Sequence, residues 1–184
     1  MNYYRLLEDM YVPQKWYLGD INVDDNWIFT NGSSIYKEDV DLKLKVEIYQ
    51  KGNPLDFTCT DPYCVPIISK DFAECLFSYS QGIEILPVSV EGLENEYFIL
   101  VVKSMLDCIH EGKTKGQKYT LEDGIRPDKV GEYMSIHHLR IDASKATSPI
   151  FRLQNFGLDI IINADVKKEL EKNNITGVKF ELAS

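Results

Sequence analysis

A chain of 184 residues with 29 acidic and 20 basic side chains, net charge −9 at neutral pH, is long enough to bury a sizeable core. That balance repels phosphate backbones and anionic headgroups, so it excludes nucleic acid and membrane as expected partners and favours a basic protein. With 44% hydrophobic and 27% charged residues, the composition is neither disordered, collagen-like nor coiled coil.

The opening residues, Met1 to Asp9, lack a basic region followed by an apolar one and carry acids early, which predicts a cytoplasmic protein. The longest apolar run, Tyr97 to Val102, falls far short of the ~20 residues that span a bilayer. No repeat or Pro/Gly-rich linker interrupts the chain, so one domain over 1–184 is expected, with an irregular part at 1–40 and the sheet and helices at 41–184. Residues 1–35 interleave Tyr3, Tyr4, Tyr11, Trp16, Tyr17, Trp27 and Phe29 with Asp and Asn without a period, and read as an irregular segment lying on a sheet.

Leu42 to Tyr49 alternates apolar and charged residues, the period of a half-buried strand. Ser69 caps a predicted helix over 69–81, with Asp71 in its first turn and Phe72, Cys75, Leu76 and Tyr79 on one face. Ile83–Val90 and Tyr97–Ile109 follow as an antiparallel pair, and 112–131 reads as an exposed loop. Strands are then expected at Met134–Ile141, Ile150–Leu153 and Leu158–Ile162. Asn163 caps a helix over 164–173, and Gly177–Leu182 alternates as a last strand. The order predicts an α+β fold with a mainly antiparallel sheet and two helices.

Several motifs invite chemistry and fall short of it. Asp20 to Asn26 has the alternating oxygens of a calcium loop, but Asp25 stands where glycine is required and Asn31 where a bidentate glutamate is required. Cys59 and Cys64 lack a second nearby Cys or His pair for zinc, so the four cysteines are read as reduced structural thiols. His138, Arg140 and Asp142 share one side of a strand and could form an enzyme's base, anion clamp and orienting acid; a solvent-facing polar row is the preferred reading. Arg152, alone inside an apolar strand, is expected to pair with an acid at the sheet edge. No nucleophile elbow, zinc-protease helix, phosphate loop or dinucleotide fingerprint occurs, and neither a cofactor nor a metal is expected.

Tyr97 to Val102 leading to Leu106-Asp107-Cys108-Ile109, then Leu139 to Asp142, Ile150 to Leu153, Ile160 to Ile162 and Ile175 to Phe180, resemble family eleven of the polymorphic-toxin immunity proteins. The likeness continues through Lys15 to Gly19, Leu44 to Ile48 and Pro66 to Ser69. It implies a bacterial, non-enzymatic protein that binds a cognate toxin and neutralises it by covering its active site or substrate groove, with no catalytic residues to assign. The alternatives are an enzyme built on His138, Arg140 and Asp142, or an adaptor subunit that pairs through a sheet edge. The binding surface is assigned to Asp20, Asp24 and Asp25, which suit a basic toxin, with Trp16 and Trp27 as aromatic anchors.

Overall fold

The computed structural model describes residues 1–32, 43–61, 63–93 and 96–184; the predicted strand start at Leu42 and the end of the predicted irregular segment lie outside them. In chain order the elements are β1 (Tyr3–Glu8), β2 (Tyr17–Ile21), β3 (Lys45–Gln50), β4 (Phe57–Cys59), β5 (Pro66–Ser69), α1 (Lys70–Cys75), β6 (Ile83–Val90) and β7 (Tyr97–Val102). There follow β8 (Met105–Leu106), β9 (Lys115–Lys118), β10 (Tyr133–His138), β11 (Ile150–Leu153), β12 (Phe156–Asn163), α2 (Ala164–Lys172) and β13 (Val178–Leu182). The fold is α+β and its strand pairs are mainly antiparallel, β3 with β6 and β11 with β8 being parallel.

Six strands run in the order β2-β3-β6-β7-β5-β4. A bridge between Leu18 and Thr60, with Asp61 N donating to Leu18 O at 2.9 Å, brings the last strand back to the first, so this sheet wraps onto itself. Its inner face holds Trp16, Leu18, Ile21, Val46, Ile67, Val88, Ile99 and Val101. Alternate residues of the same strands, Ile68, Leu100 and Val102, point outward into a second core shared with α1, α2 and the other sheet. Burial on both faces explains why Tyr97 to Val102 is continuously apolar instead of alternating.

Five strands form the other sheet, in the order β13-β1-β12-β11-β8. Leu6, Ile160 and Ile162 face the shared core, while Tyr3, Phe151 and Ile161 face a third core under Cys108, Ile136 and Ile141. Pairing of β1 between β12 and β13 corrects the reading of the N-terminal part as irregular: β1 and β2 are strands. The period was hidden because both faces of β1 are covered, and Arg5 occupies one of its inward positions.

Both helices begin where expected. Ser69 Oγ accepts from Phe72 N at 3.2 Å, and Asn163 Oδ1 accepts from Val166 N at 2.9 Å. The first is shorter than predicted: α1 stops at Cys75 and a 3-10 turn, Phe77–Tyr79, carries the chain onward with Phe77 exposed. The predicted 112–131 loop is exposed but not structureless, since β9 pairs with β10 across it. The predicted strand Tyr97–Ile109 divides at Val102, where β7 leaves the wrapped sheet and β8 joins the other.

Candidate functional site

The acids of the N-terminal loop sit on a scaffold that holds them out. Asn26, buried, receives Ile21 N on its Oδ1 at 2.8 Å and donates to Ile21 O at 3.0 Å and Val23 O at 3.2 Å, closing the chain between them into a tight loop. Asn22 fastens that loop to β3, accepting Lys45 N at 2.6 Å and donating to Lys43 O at 3.2 Å. Asp25 caps the 3-10 turn Asn26–Phe29 through Trp27 N at 2.9 Å. Asp20, Asp24 and Asp25 are all exposed, and Trp27 stands half exposed directly after them.

Beside the loop lies an open cleft of about 560 Å³, lined by Asp20, Ile21 and Asn22 with Lys45, Val46, Glu47, Ser89, Val90 and Glu91. Ile21, Val46 and Val90 are buried beneath it, and the carboxylates of Asp20, Glu47 and Glu91 stand at its rim with Lys45 as the one cation among the lining residues. Glu47 and Glu91 were not among the residues assigned from sequence. The alternation of β3 carried the signal for Glu47, since it places Lys45 and Glu47 on the solvent face. Nothing local to Glu91 marks it, because it reaches the cleft only through the parallel pairing of Val46 with Val90.

Trp16 is corrected. It is 1% exposed inside the wrapped sheet, its Nε1 donates to Thr58 Oγ1 at 2.7 Å, and its ring packs on Tyr97, so no partner reaches it. Trp16 immediately precedes β2, and its bond to Thr58 ties its ring to β4 inside the wrapped sheet. Arg152 is corrected as well. It is fully buried and donates to the carbonyls of Gly157 at 2.6 Å and Leu158 at 2.9 Å instead of to an acid, and burial lowers its pKa.

Among the described residues no hydrogen bond or ion pair joins His138, Arg140 and Asp142 to one another. Arg140 donates to the carbonyls of Leu139 and Leu182; Asp142 caps a 3-10 turn through Ser144 N and Oγ, contacts that hold its carboxyl below the usual range; His138 is exposed after a register shift in β10. Arg140 and Asp142 are thus engaged in structural contacts, and His138 stands in solvent. The buried carboxylate is elsewhere: Asp159 Oδ2 lies 2.8 Å from Arg5 Nε, and burial raises its pKa against the pull of Arg5.

The α+β scaffold thus carries charge on a fixed loop, open to solvent beside an apolar floor. Residues 72–184, well over half of the chain, match the model of the Immunity protein family (Imm11), and the chain belongs to that family. No curated protein matches it. The matched span begins within α1 and runs to the end of β13, while β1, from outside it, fills the slot between β12 and β13. No helix among the described residues is long and apolar enough to cross a membrane.

Proposed function

We propose that this chain is a single-domain, non-catalytic immunity protein of the cytoplasm that binds a cognate toxin through the cleft of Asp20, Glu47 and Glu91 and blocks the toxin's active site or substrate groove. The family match supports the immunity role, and the interleaving of β1 and β2 with later strands supports one folding unit. The observation that carries the choice of surface is the Asn26 and Asn22 clamp, which presents the acids in one geometry and so lowers the cost of ordering them on binding. The matching toxin surface is a basic segment with an apolar side chain for the floor over Val46 and Val90. Trp27, exposed beside the loop, is the aromatic anchor.

A rival acidic cleft between the helices, lined by Asp71, Glu74, Cys75, Glu169 and Asn173, offers little apolar surface to anchor a partner. Edge pairing is disfavoured too: the wrapped sheet joins its own edges, β8 has two residues, and β13 presents Lys179 and Glu181.

Co-expression with the toxin encoded by a neighbouring gene tests the role, and association kinetics test the surface. Asp20→Lys, Glu47→Lys and Glu91→Lys together should slow association by roughly 10- to 100-fold, most strongly at low salt, with the fold intact by circular dichroism. Unchanged kinetics, or a loss produced only by Glu74→Lys with Glu169→Lys, would overturn the assignment of the cleft. Equal killing with and without the chain would overturn the role.

A further inference from the structure

Among the described residues, β2 with β3 is the one strand pairing of the wrapped sheet that shifts register, and it shifts twice. Tyr17 faces Gln50, Leu18 faces Ile48 and Ile21 faces Val46. The first shift leaves Tyr49 as an extra residue on β3, and the second sets Gly19 and Asp20 together opposite Glu47. Such bulges keep Leu18, Ile21 and Val46 in the core while they re-aim the residues between them. Tyr17, Tyr49, Asp20 and Glu47 all come out on the solvent side, with Gly19 among them.

Gly19 leaves a trough on this face. A Cβ built there would meet only the side chain of Glu47, Oε2 at 3.4 Å and Cβ at 3.5 Å, so the Glu47 carboxylate leans across to β2 over bare backbone. Neither Lys45, on the same face of β3, nor any other described cation forms an ion pair with Glu47 or with Asp20. Tyr49 is 75% exposed, and its ring rests on no other ring or cation among the described residues. Tyr17 is held from beneath: its ring lies 4.3 Å from Lys15 Nζ, whose charge is met by Glu8 at 2.6 Å. The trough therefore has aromatic walls, two unpaired acids and no occupant from the chain itself.

We propose that this trough receives one arginine side chain of the toxin, stacked on Tyr49 and bound through its guanidinium by Glu47 and Asp20. The proposal rests on the reading of this surface as the toxin interface, and it narrows a basic segment to a single residue type. Arginine suits the site better than lysine. Its planar guanidinium can lie on an aromatic face while its fork of donors meets a carboxylate, and it gives up water more easily than a compact ammonium.

The two kinds of group divide the work. Asp20 and Glu47, which also stand at the rim of the cleft, draw the cation in and so act on the rate of association. Tyr49 offers a large contact area with few torsions to order, and so acts on the lifetime of the complex. Gly19 sets the room between them, since any side chain there would occupy the trough without altering a charge.

The first part of the test needs no toxin. The isotope-labelled full chain is titrated with N-acetyl-arginine amide and, separately, with N-acetyl-lysine amide, and followed by amide NMR. The arginine compound should shift Gly19, Glu47 and Tyr49 saturably and bind about threefold more tightly than the lysine compound. Gly19→Val should abolish those shifts and leave the rest of the spectrum in place. With the toxin of the neighbouring gene, Tyr49→Ala and Gly19→Val should each speed dissociation about tenfold at a nearly unchanged association rate, the reverse of the charge substitutions. Equal affinity for the two compounds, or shifts that survive Gly19→Val, would overturn the proposal. If the charge substitutions slow association while Tyr49→Ala and Gly19→Val leave dissociation unchanged, the trough is wrong and the acidic cleft stands. If the charge substitutions have no effect either, the cleft and the trough fall together.

Discussion

Trp16, Leu18, Ile67, Ile99 and Val101 fill the wrapped sheet, and its carboxylates, Asp20 and Glu47, stand outside in solvent; the five-stranded sheet instead buries Arg5, Arg152 and Asp159 among its strands. In the first region charge is free to meet a partner because the core does not depend on it. In the second, charge is part of the packing, and each buried group is committed to a specific atom. An acid of the rim and an acid of the interior should therefore respond to mutation in opposite ways: one in binding, the other in folding.

The sharpest break of this comparison is Asp159→Ala. It leaves Arg5, which is itself 8% exposed, with only the more exposed Glu181 at 3.3 Å as a carboxylate partner, and should cost toward the lower end of the about 3–5 kcal/mol that breaking a buried pair costs, read by urea denaturation. Replacing both partners, Arg5→Met with Asp159→Leu, should recover most of that loss, since well-packed apolar side chains can replace a buried pair. A single mutant that loses less than about 1 kcal/mol would show that water reaches the pair, and the contrast between the sheets would fail.

Next in size is Asn26→Ala. It removes the side chain that satisfies Ile21 N, Ile21 O and Val23 O inside the wrapped sheet's loop, and should cost roughly 2 kcal/mol. Unlike Asp159→Ala, it should also slow toxin association, because Asp20 and Asp24 lose their fixed geometry. A full loss of stability with unchanged association would mean that the acids need no scaffold.

What could be read from the chain divides along the same line. Elements with one solvent face or a side-chain cap were legible: α2 was found at Ala164 because Asn163 is a cap, and β3 because Lys45 and Glu47 alternate with Val46 and Ile48. β1 was not, since its neighbours β12 and β13 lie more than 150 residues away in the chain and both its faces are covered. Of the assigned surface, the exposed acids and Trp27 were legible as an acid-rich turn, whereas the inward ring of Trp16 depends on the seam between β2 and β4. Glu91 depends on a pairing between strands distant in the chain, which local pattern does not encode.

The smallest expected effect lies in neither sheet but in the β9–β10 ribbon, where polar contacts are neither fully buried nor free. Tyr133 donates its hydroxyl to Glu111 Oε2 at 2.9 Å, and Lys118 Nζ reaches the same oxygen at 2.7 Å while lying over the Tyr133 ring. Burial, with Glu111 beside it, pushes the phenol up to about 12. A group whose folded value is raised contributes stability that is full below its ordinary value near 10 and is lost as the pH climbs from there to about 12. Glu111 behaves in the opposite sense: Lys118 holds it below the usual carboxylate range, so its contribution is present above that range and lost as the pH falls through the folded value. Tyr133→Phe should therefore lower stability by about 1 kcal/mol near neutral pH, and the difference from the unmutated chain should shrink between pH 10 and 12 in thermal melts. Cys108, pushed up to about 11, titrates in both proteins and cancels from that difference. A difference as large at pH 11.5 as at pH 8 would mean that the phenol's proton plays no part, and that Tyr133 holds the ribbon by ring packing alone.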